Sequence, residues 1–234
     1  MCTTSASTAP GCEMPLGGRR QPLYSGGADA ARADFIRFLA ACYYEPDRQF
    51  AEERLFDSML EAAACIHPEL AALAQRLRQA YLEVPLEELL VDYTRLFLGP
   101  APVLAQPYES VWLRGTHGLM QESTLDVLRC YAEGGFEIDG GFRDMPDHIA
   151  VELEFLYLLV HREVQEPVNG EALAPVRALR SRFLREHLAR WSAPFAAALM
   201  AHAQCAFYRR LGEITERLVV MEAERENRHP PLRT

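Results

Sequence analysis

The feature that most constrains this chain is apolar periodicity at helical spacing, which runs almost unbroken from Asp29 onward. Phe35, Ile36, Phe38, Leu39 and Cys42 form one stripe, and stripes of this period bury one face of a helix. Pro46-Asp47 predicts the opening of a second helix carrying Phe50, Leu55, Phe56, Met59 and Leu60. Pro68 opens a third, with Leu70, Leu73, Leu77 and Tyr81 on one face, and Pro85 starts a fourth that stops near Gly99-Pro100. Residues 100–110 hold Pro100, Pro102 and Pro107 and read as a rigid loop. A helix over Glu122–Glu133 closes at Gly134-Gly135, and Gly140-Gly141 adds a further break. Pro146 suits the first position of the next helix, with Asp147 near the positive end of its dipole. That helix carries Ile149, Leu153, Leu156 and Val160 and ends at Val168-Asn169-Gly170. Another covers about 172–191, Ser192 and Pro194 mark a break, and a last long helix runs to about Arg225. No alternating strand and no internal repeat occurs. The expectation is an all-α chain with one multi-helix globular domain over 29–226, a disordered Ser/Thr/Gly/Pro-rich tail over 1–28, and a frayed tail over 227–234.

An apolar fraction of 49 % is ample for a core in 234 residues. Asp and Glu number 33 against 24 Lys and Arg, a net charge of −9. That balance argues against nucleic-acid binding, which rests on phosphate neutralisation. It suits solubility, or a basic partner. The six cysteines, Cys2, Cys12, Cys42, Cys65, Cys130 and Cys205, include no Cys-x-x-Cys pair. They give neither a zinc framework nor a disulfide scaffold and read as reduced cytoplasmic thiols. No run of about 18 apolar residues predicts a membrane span. Arg19-Arg20 is followed by polar, turn-rich Gln21–Gly27 rather than an apolar segment, so it does not read as an export signal of this chain. The expected location is the cytoplasm.

Familiar catalytic patterns are missing. No phosphate loop, dinucleotide fingerprint or nucleophile elbow occurs. His148 and Glu152 share a helical face, but two ligands are too few for a metal, so neither metal nor cofactor is expected. Glu152 and Glu154 point to different sides of a helix and do not pair. His187 and Trp191, four apart among Phe183, Leu184, Leu188 and Phe195, read as a core helix with one buried polar residue that must have a partner. Tyr93 and Phe97 share a face beside Leu96, and Pro107-Tyr108 follow on a stiff loop. Such rings are either plain core or anchors for a ligand, since stiff backbone loses little entropy on binding.

Three blocks, in order, resemble the TorD/DmsD/NarJ family of redox-enzyme maturation chaperones, and most of all its TorD/DmsD branch. Tyr93-Thr94-Arg95-Leu96-Phe97 with Gly99-Pro100 is similar to that family's aromatic-x-x-Leu-Phe motif. Pro107-Tyr108-Glu109-Ser110-Val111-Trp112 resembles its proline–aromatic loop, and Asp147-His148 the end of its Glu-Pro-x-Asp-His motif. His187-Leu188 with Trp191 and Pro194 resembles a weaker C-terminal block. Asp144-Met145-Pro146 departs from the pattern, with proline shifted by one place. The resemblance implies a TorD-like helical fold and a cytoplasmic chaperone, not an enzyme. It would hold an apo-molybdoenzyme of the dimethyl sulfoxide reductase superfamily, by its twin-arginine signal peptide, until molybdopterin is inserted. It implies peptide-binding roles for Tyr93, Leu96, Phe97, Pro107, Tyr108, Asp147 and His148, with Tyr93, Leu96, Phe97 and Tyr108 on the apolar stretch and Asp147 meeting a basic group. Glu109 and Glu152 are inferred to add negative potential. The competing readings are a NarJ-like adaptor for a reductase subunit that is not exported, and a helical protein binding metal through His and Glu. A monomer is expected, with a minor helix-exchanged dimer.

Overall fold

The computed structural model describes residues 27–99, 103–113, 122–138, 144–165 and 173–228. The tail before Gly27, Arg19-Arg20, Pro100, Pro102, Gly140-Gly141, Val168–Gly170 and the chain after Arg228 lie outside the described residues. The helices are α1 (Gly27–Ala41), α2 (Gln49–Glu52), α3 (Leu55–Ile66), α4 (Pro68–Glu83), α5 (Leu86–Tyr93), α6 (Glu109–Trp112), α7 (Glu122–Glu133), α8 (Ile149–Gln165), α9 (Ala174–Phe183), α10 (Ala189–His202) and α11 (Ala206–Arg228). No strand occurs among the described residues; one isolated bridge pairs Tyr108 with His148.

α1 packs against α3 and α8, α4 against α3 and α11, and α10 against α11. The core they share is aromatic, with Phe35 of α1, Phe155 of α8, Trp191 and Phe195 of α10, and Phe207 and Tyr208 of α11 all buried. Pro68 is the first residue of α4, and the preceding His67 side chain accepts from Glu69 N, which satisfies a free helix-end donor. α7 ends where its glycines predict. Gly135 is left-handed (φ 60°) and Phe136 N donates to Tyr131 O at 2.8 Å, a glycine-terminated stop.

Several boundaries differ from the sequence reading. The expected second helix is two, α2 and α3, parted at Arg54, which takes φ 54°. α1 begins at Gly27, two residues before Asp29. α8 begins at Ile149, not Pro146, because His148 accepts from Ala150 N at 3.1 Å and so caps it. Ser192 and Pro194 do not break the chain: Pro194 lies inside α10. Interior proline removes a hydrogen bond and strains a helix. Here buried Trp191, Phe195 and Leu199 hold the helix together, and tertiary packing overrides local propensity. The actual break falls at Ala203–Cys205. There Asp92 Oδ2 accepts from Gln204 N and Cys205 N at 2.9 Å and so anchors the entry to α11.

Two wide π-type turns extend helices, Thr94–Leu98 after α5 and Leu184–Leu188 between α9 and α10. Such turns commonly mark functional positions. The first carries the Leu96-Phe97 motif and the second carries His187.

The close of α7 presses on α8. A Cβ at Gly134 would lie 2.6 Å from the Phe155 ring, itself fully buried. Gly134→Ala is expected to lower stability by about 1–3 kcal/mol through overpacking. Chemical denaturation of the two proteins checks this, with Ala132→Gly, on the exposed side of α7, as a control for helix propensity.

Candidate functional site

The loop leading to α6 is sewn to the start of α8 by backbone. Glu109 N donates to Asp147 O at 3.0 Å, and Ile149 N donates to Pro107 O at 2.9 Å. Ala105 N donates to Leu96 O at 3.0 Å, which ties the same loop to the π-type turn after α5. The three sequence blocks, far apart in the chain, therefore meet at one place.

Asp147 is fully buried. Its Oδ2 accepts from Ser110 N at 2.9 Å, so it caps α6, not the helix that follows it. A carboxylate on a helix-end amide is a strong, charge-assisted contact. His148 is 4 % exposed. Its ring stacks on Tyr44 at 6.5 Å between centroids and meets Tyr108 edge-on at 5.5 Å. Burial pushes its pKa down to about 4, against an upward pull from Asp144 and Asp147. It is a neutral capping group.

Around that buried seam lies a half-buried aromatic surface formed by Tyr44, Tyr93 and Tyr108. Tyr108 donates to Asp144 Oδ1 at 2.7 Å and Tyr44 to Glu154 Oε1 at 2.8 Å. Burial, with the charges of Asp144 and Glu45 adding to it, raises the Tyr93 hydroxyl to about 12. The tyrosines thus carry an acidic rim of Glu45, Asp144 and Glu154. Apolar ring faces with an acidic edge suit an apolar segment that begins with basic residues.

The motif residues divide by place. Tyr93 and Tyr108 are half-buried and reach the surface. Leu96 and Phe97 are core, at 0 % and 4 % exposure, and Phe97 lies against Tyr43 and Tyr208. Pro107 is buried and contributes its carbonyl to the seam. Glu109 and Glu152 are both fully buried, so neither carboxylate presents charge at the surface. Glu109 accepts from His187 Nδ1 at 3.0 Å, which supplies the partner that a buried histidine requires. Burial opposes a charged His187, but contacts with Cys130 and Glu109 outweigh it and raise its pKa to about 9. Burial holds the Glu109 pKa up, opposed by His187. Glu152 Oε2 accepts from Trp191 Nε1 at 3.1 Å, and burial, then Glu109, push its pKa well up. His148 and Glu152 are thus engaged with separate partners. Among the described residues no three His, Cys, Asp or Glu side chains gather as metal ligands. Likewise no described helix is long and apolar enough to cross a membrane.

The sequence reading missed Tyr44, Asp144 and Glu154. Tyr44 follows the end of α1 and nothing in its local pattern sets it apart. Asp144 was legible only as a departure from the expected motif.

Comparison with known proteins adds a second line. The family model described as nitrate reductase delta subunit matches residues 63–197. The chaperone protein TorD of Escherichia coli O8 (strain IAI1) is 29 % identical over 169 residues, 69 % of this chain and 76 % of that protein. The TorD of Vibrio parahaemolyticus is 27 % identical over 122 residues, 52 % of this chain and 56 % of that one. The crystal structure of a candidate redox enzyme maturation protein from Archaeoglobus fulgidus superposes with a TM-score of 0.50 at 20 % identity, covering 80 % of this chain and 93 % of its own. That likeness supports the helical fold.

Proposed function

The chain belongs to the nitrate reductase delta subunit (NarJ/TorD) family, and from that premise we propose that it is a cytoplasmic maturation chaperone for a molybdoenzyme, which it grips by the twin-arginine signal peptide. The observation that carries this reading is the half-buried surface of Tyr44, Tyr93 and Tyr108 with its rim of Glu45, Asp144 and Glu154. A signal peptide presents basic residues and then an apolar run, and the surface offers acids beside ring faces in matching kind. The reading is of a binding protein, not a catalyst. Burying three or four apolar side chains gains roughly 1.5–3 kcal/mol each, and ordering a flexible peptide takes several back. A net near −8 kcal/mol is about micromolar affinity, which suits a client that must later leave.

Buried Asp147 and His148 act in this reading by holding the loop that presents Tyr108, instead of touching the peptide. Titration of a fluorescent peptide bearing Arg-Arg and an apolar run tests it. Tyr108→Ala and Tyr93→Ala are each expected to weaken binding by about tenfold or more. Asp147→Asn keeps an acceptor for Ser110 N and is expected to stay within about threefold, whereas Asp147→Ala loses the cap and the ordered loop. Equal loss for both Asp147 variants would show instead that its charge meets the peptide directly. Unchanged affinity in Tyr93→Ala and Tyr108→Ala would overturn the surface assignment.

The matching family is described by a reductase subunit, and the second reading is an adaptor for a reductase subunit without an export signal. Proteins captured by this chain from its host under anaerobic growth separate the two. A precursor retaining Arg-Arg supports the first reading, and a molybdoenzyme lacking it supports the second.

A further inference from the structure

A cavity of about 520 Å³ has Cys130, His187, Glu109 and Arg182 in its lining, with further basic residues (Arg129 and Arg190) and the acids Asp126, Glu133 and Glu186; Glu133 pairs with Arg182 and Asp126 with Arg129. The cavity holds a cluster that peptide binding does not use. Cys130 Sγ lies 3.8 Å from His187 Nε2, and the opposite ring nitrogen donates to Glu109 Oε1 at 3.0 Å. Arg182 Nη2 donates to the same sulfur at 3.9 Å. Sulfur, imidazole and carboxylate follow one another as nucleophile, base and orienting group do in activated sites. The imidazole and the guanidinium thus set a proton carrier and a fixed cation beside one sulfur. Glu109 is fully buried, so the ring it holds is fixed with Nε2 toward the sulfur.

The other thiols differ. Cys42 is buried in the core and donates to Phe38 O at 3.3 Å, and burial raises its pKa. Cys65 is exposed. Only Cys130 of the described cysteines has a histidine and an arginine on its sulfur while lining a cavity. Acyl transfer does not fit. Cys130 lies inside α7, where its amide is engaged in the helix and cannot serve as an oxyanion donor. A small oxidant needs no such donor.

We propose that Cys130 is a modification site, oxidised to a sulfenic acid by small hydroperoxides that enter this cavity, with His187 and Arg182 holding the sulfur reactive. The thiolate attacks one peroxide oxygen. The S–O bond forms as the O–O bond breaks, and sulfur gives up two electrons. The departing hydroxide or alkoxide takes the Nε2 proton of His187 and leaves as water or alcohol. An added thiol reverses the change. The inference is independent of the chaperone reading.

The test exposes the full chain to hydrogen peroxide with a cyclic dione that traps sulfenic acids, and maps the labelled cysteines by mass spectrometry. Cys130 is expected to be labelled about tenfold or more faster than exposed Cys65 in the same sample, because its sulfur has an imidazole and a guanidinium beside it in a cavity that admits a small peroxide. Dithiothreitol added before the trap should abolish the label. His187→Gln and Arg182→Gln are each expected to slow labelling of Cys130 about tenfold, while Cys65 is unchanged. Arg182 lies partly in solvent, so its variant is the one expected to fold without difficulty. If His187→Gln fails to fold, the Cys130-to-Cys65 ratio in the unaltered chain and the Arg182→Gln rate decide. Labelling of Cys130 no faster than Cys65, or a rate indifferent to Arg182, would overturn the proposal.

Discussion

Arg32→Ala is expected to reduce the free energy of unfolding by about 3–5 kcal/mol, because it strands a buried charge. Arg32 on α1 and Glu222 on α11 form a two-point pair, Nε to Oε1 at 2.7 Å and Nη2 to Oε2 at 2.5 Å, with both side chains about 4 % exposed. The planar guanidinium matches both carboxylate oxygens at once. Removal of the arginine leaves Glu222 without water and without its partner. Glu222→Ala leaves Arg32 the Asp29 carboxylate at 3.7 Å and should be less harmful. The double change Arg32→Met with Glu222→Leu is expected to recover most of the loss, since apolar replacement of a whole buried pair is often neutral or better. Urea denaturation of the parent, the two alanine variants and the Arg32→Ala, Glu222→Ala double variant, read as a double-mutant cycle, measures the coupling, and the Met and Leu replacement is compared with the parent alone. Additive losses would mean that the pair is not an energetic unit. Tyr44 follows the end of α1, so peptide affinity of the folded Arg32→Ala protein also reports whether this pin reaches the aromatic surface.

How much of this was legible in the sequence depends on how local the cause is. α4 and α7 were legible because proline and glycine set their ends by backbone geometry alone. The gap between α2 and α3 was not, because the left-handed residue is Arg54 and not glycine. The start of α8 was misplaced because a histidine cap is weakly encoded, whereas Pro146-Asp147 mimics a stronger one. Pro194 reads as a break in sequence because the packing that tolerates it comes from residues remote in the chain. Periodicity of 3.6 cannot reveal the π-type turns that carry Leu96, Phe97 and His187. The candidate site was legible as a set of blocks but not as a division of labour. That Asp147 spends its carboxylate on Ser110 N, 37 residues away, follows only from the folded chain. The same holds for the burial of Glu109 and Glu152, which as sequence read as sources of surface charge.

Stability is expected to fall on both sides of neutrality, with a different histidine responsible for each side. His148 in the folded protein titrates near 4, below its ordinary value of 6.5, through burial. Its contribution is therefore complete above about 6.5 and is lost as pH falls toward 4, when the proton must displace Ala150 N–H from Nδ1. His187 titrates near 9, above the same ordinary value, as contacts with Cys130 and Glu109 overcome burial. Its contribution is complete below about 6.5 and is lost as pH rises through 9. Each displacement is on the order of 3 kcal/mol, at about 1.4 kcal/mol per pH unit. His148→Asn keeps a capping acceptor that does not titrate, so the acid-side loss between about 6.5 and 4 is expected to flatten relative to the unaltered protein. His187→Gln is expected to flatten the alkaline side between about 6.5 and 9, and since it also removes the group that holds the Glu109 carboxyl down, only that side is read for this variant. Glu109 and His187 titrate as a pair, and the raised Glu109 and Glu152 carboxyls also favour the folded state at lower pH. For that reason the difference between variant and parent, not the absolute curve, is the quantity to read. Urea midpoints taken from pH 4 to 10 supply it. An acid side unchanged in His148→Asn would show that this histidine is not the neutral cap that orders the entry to α8.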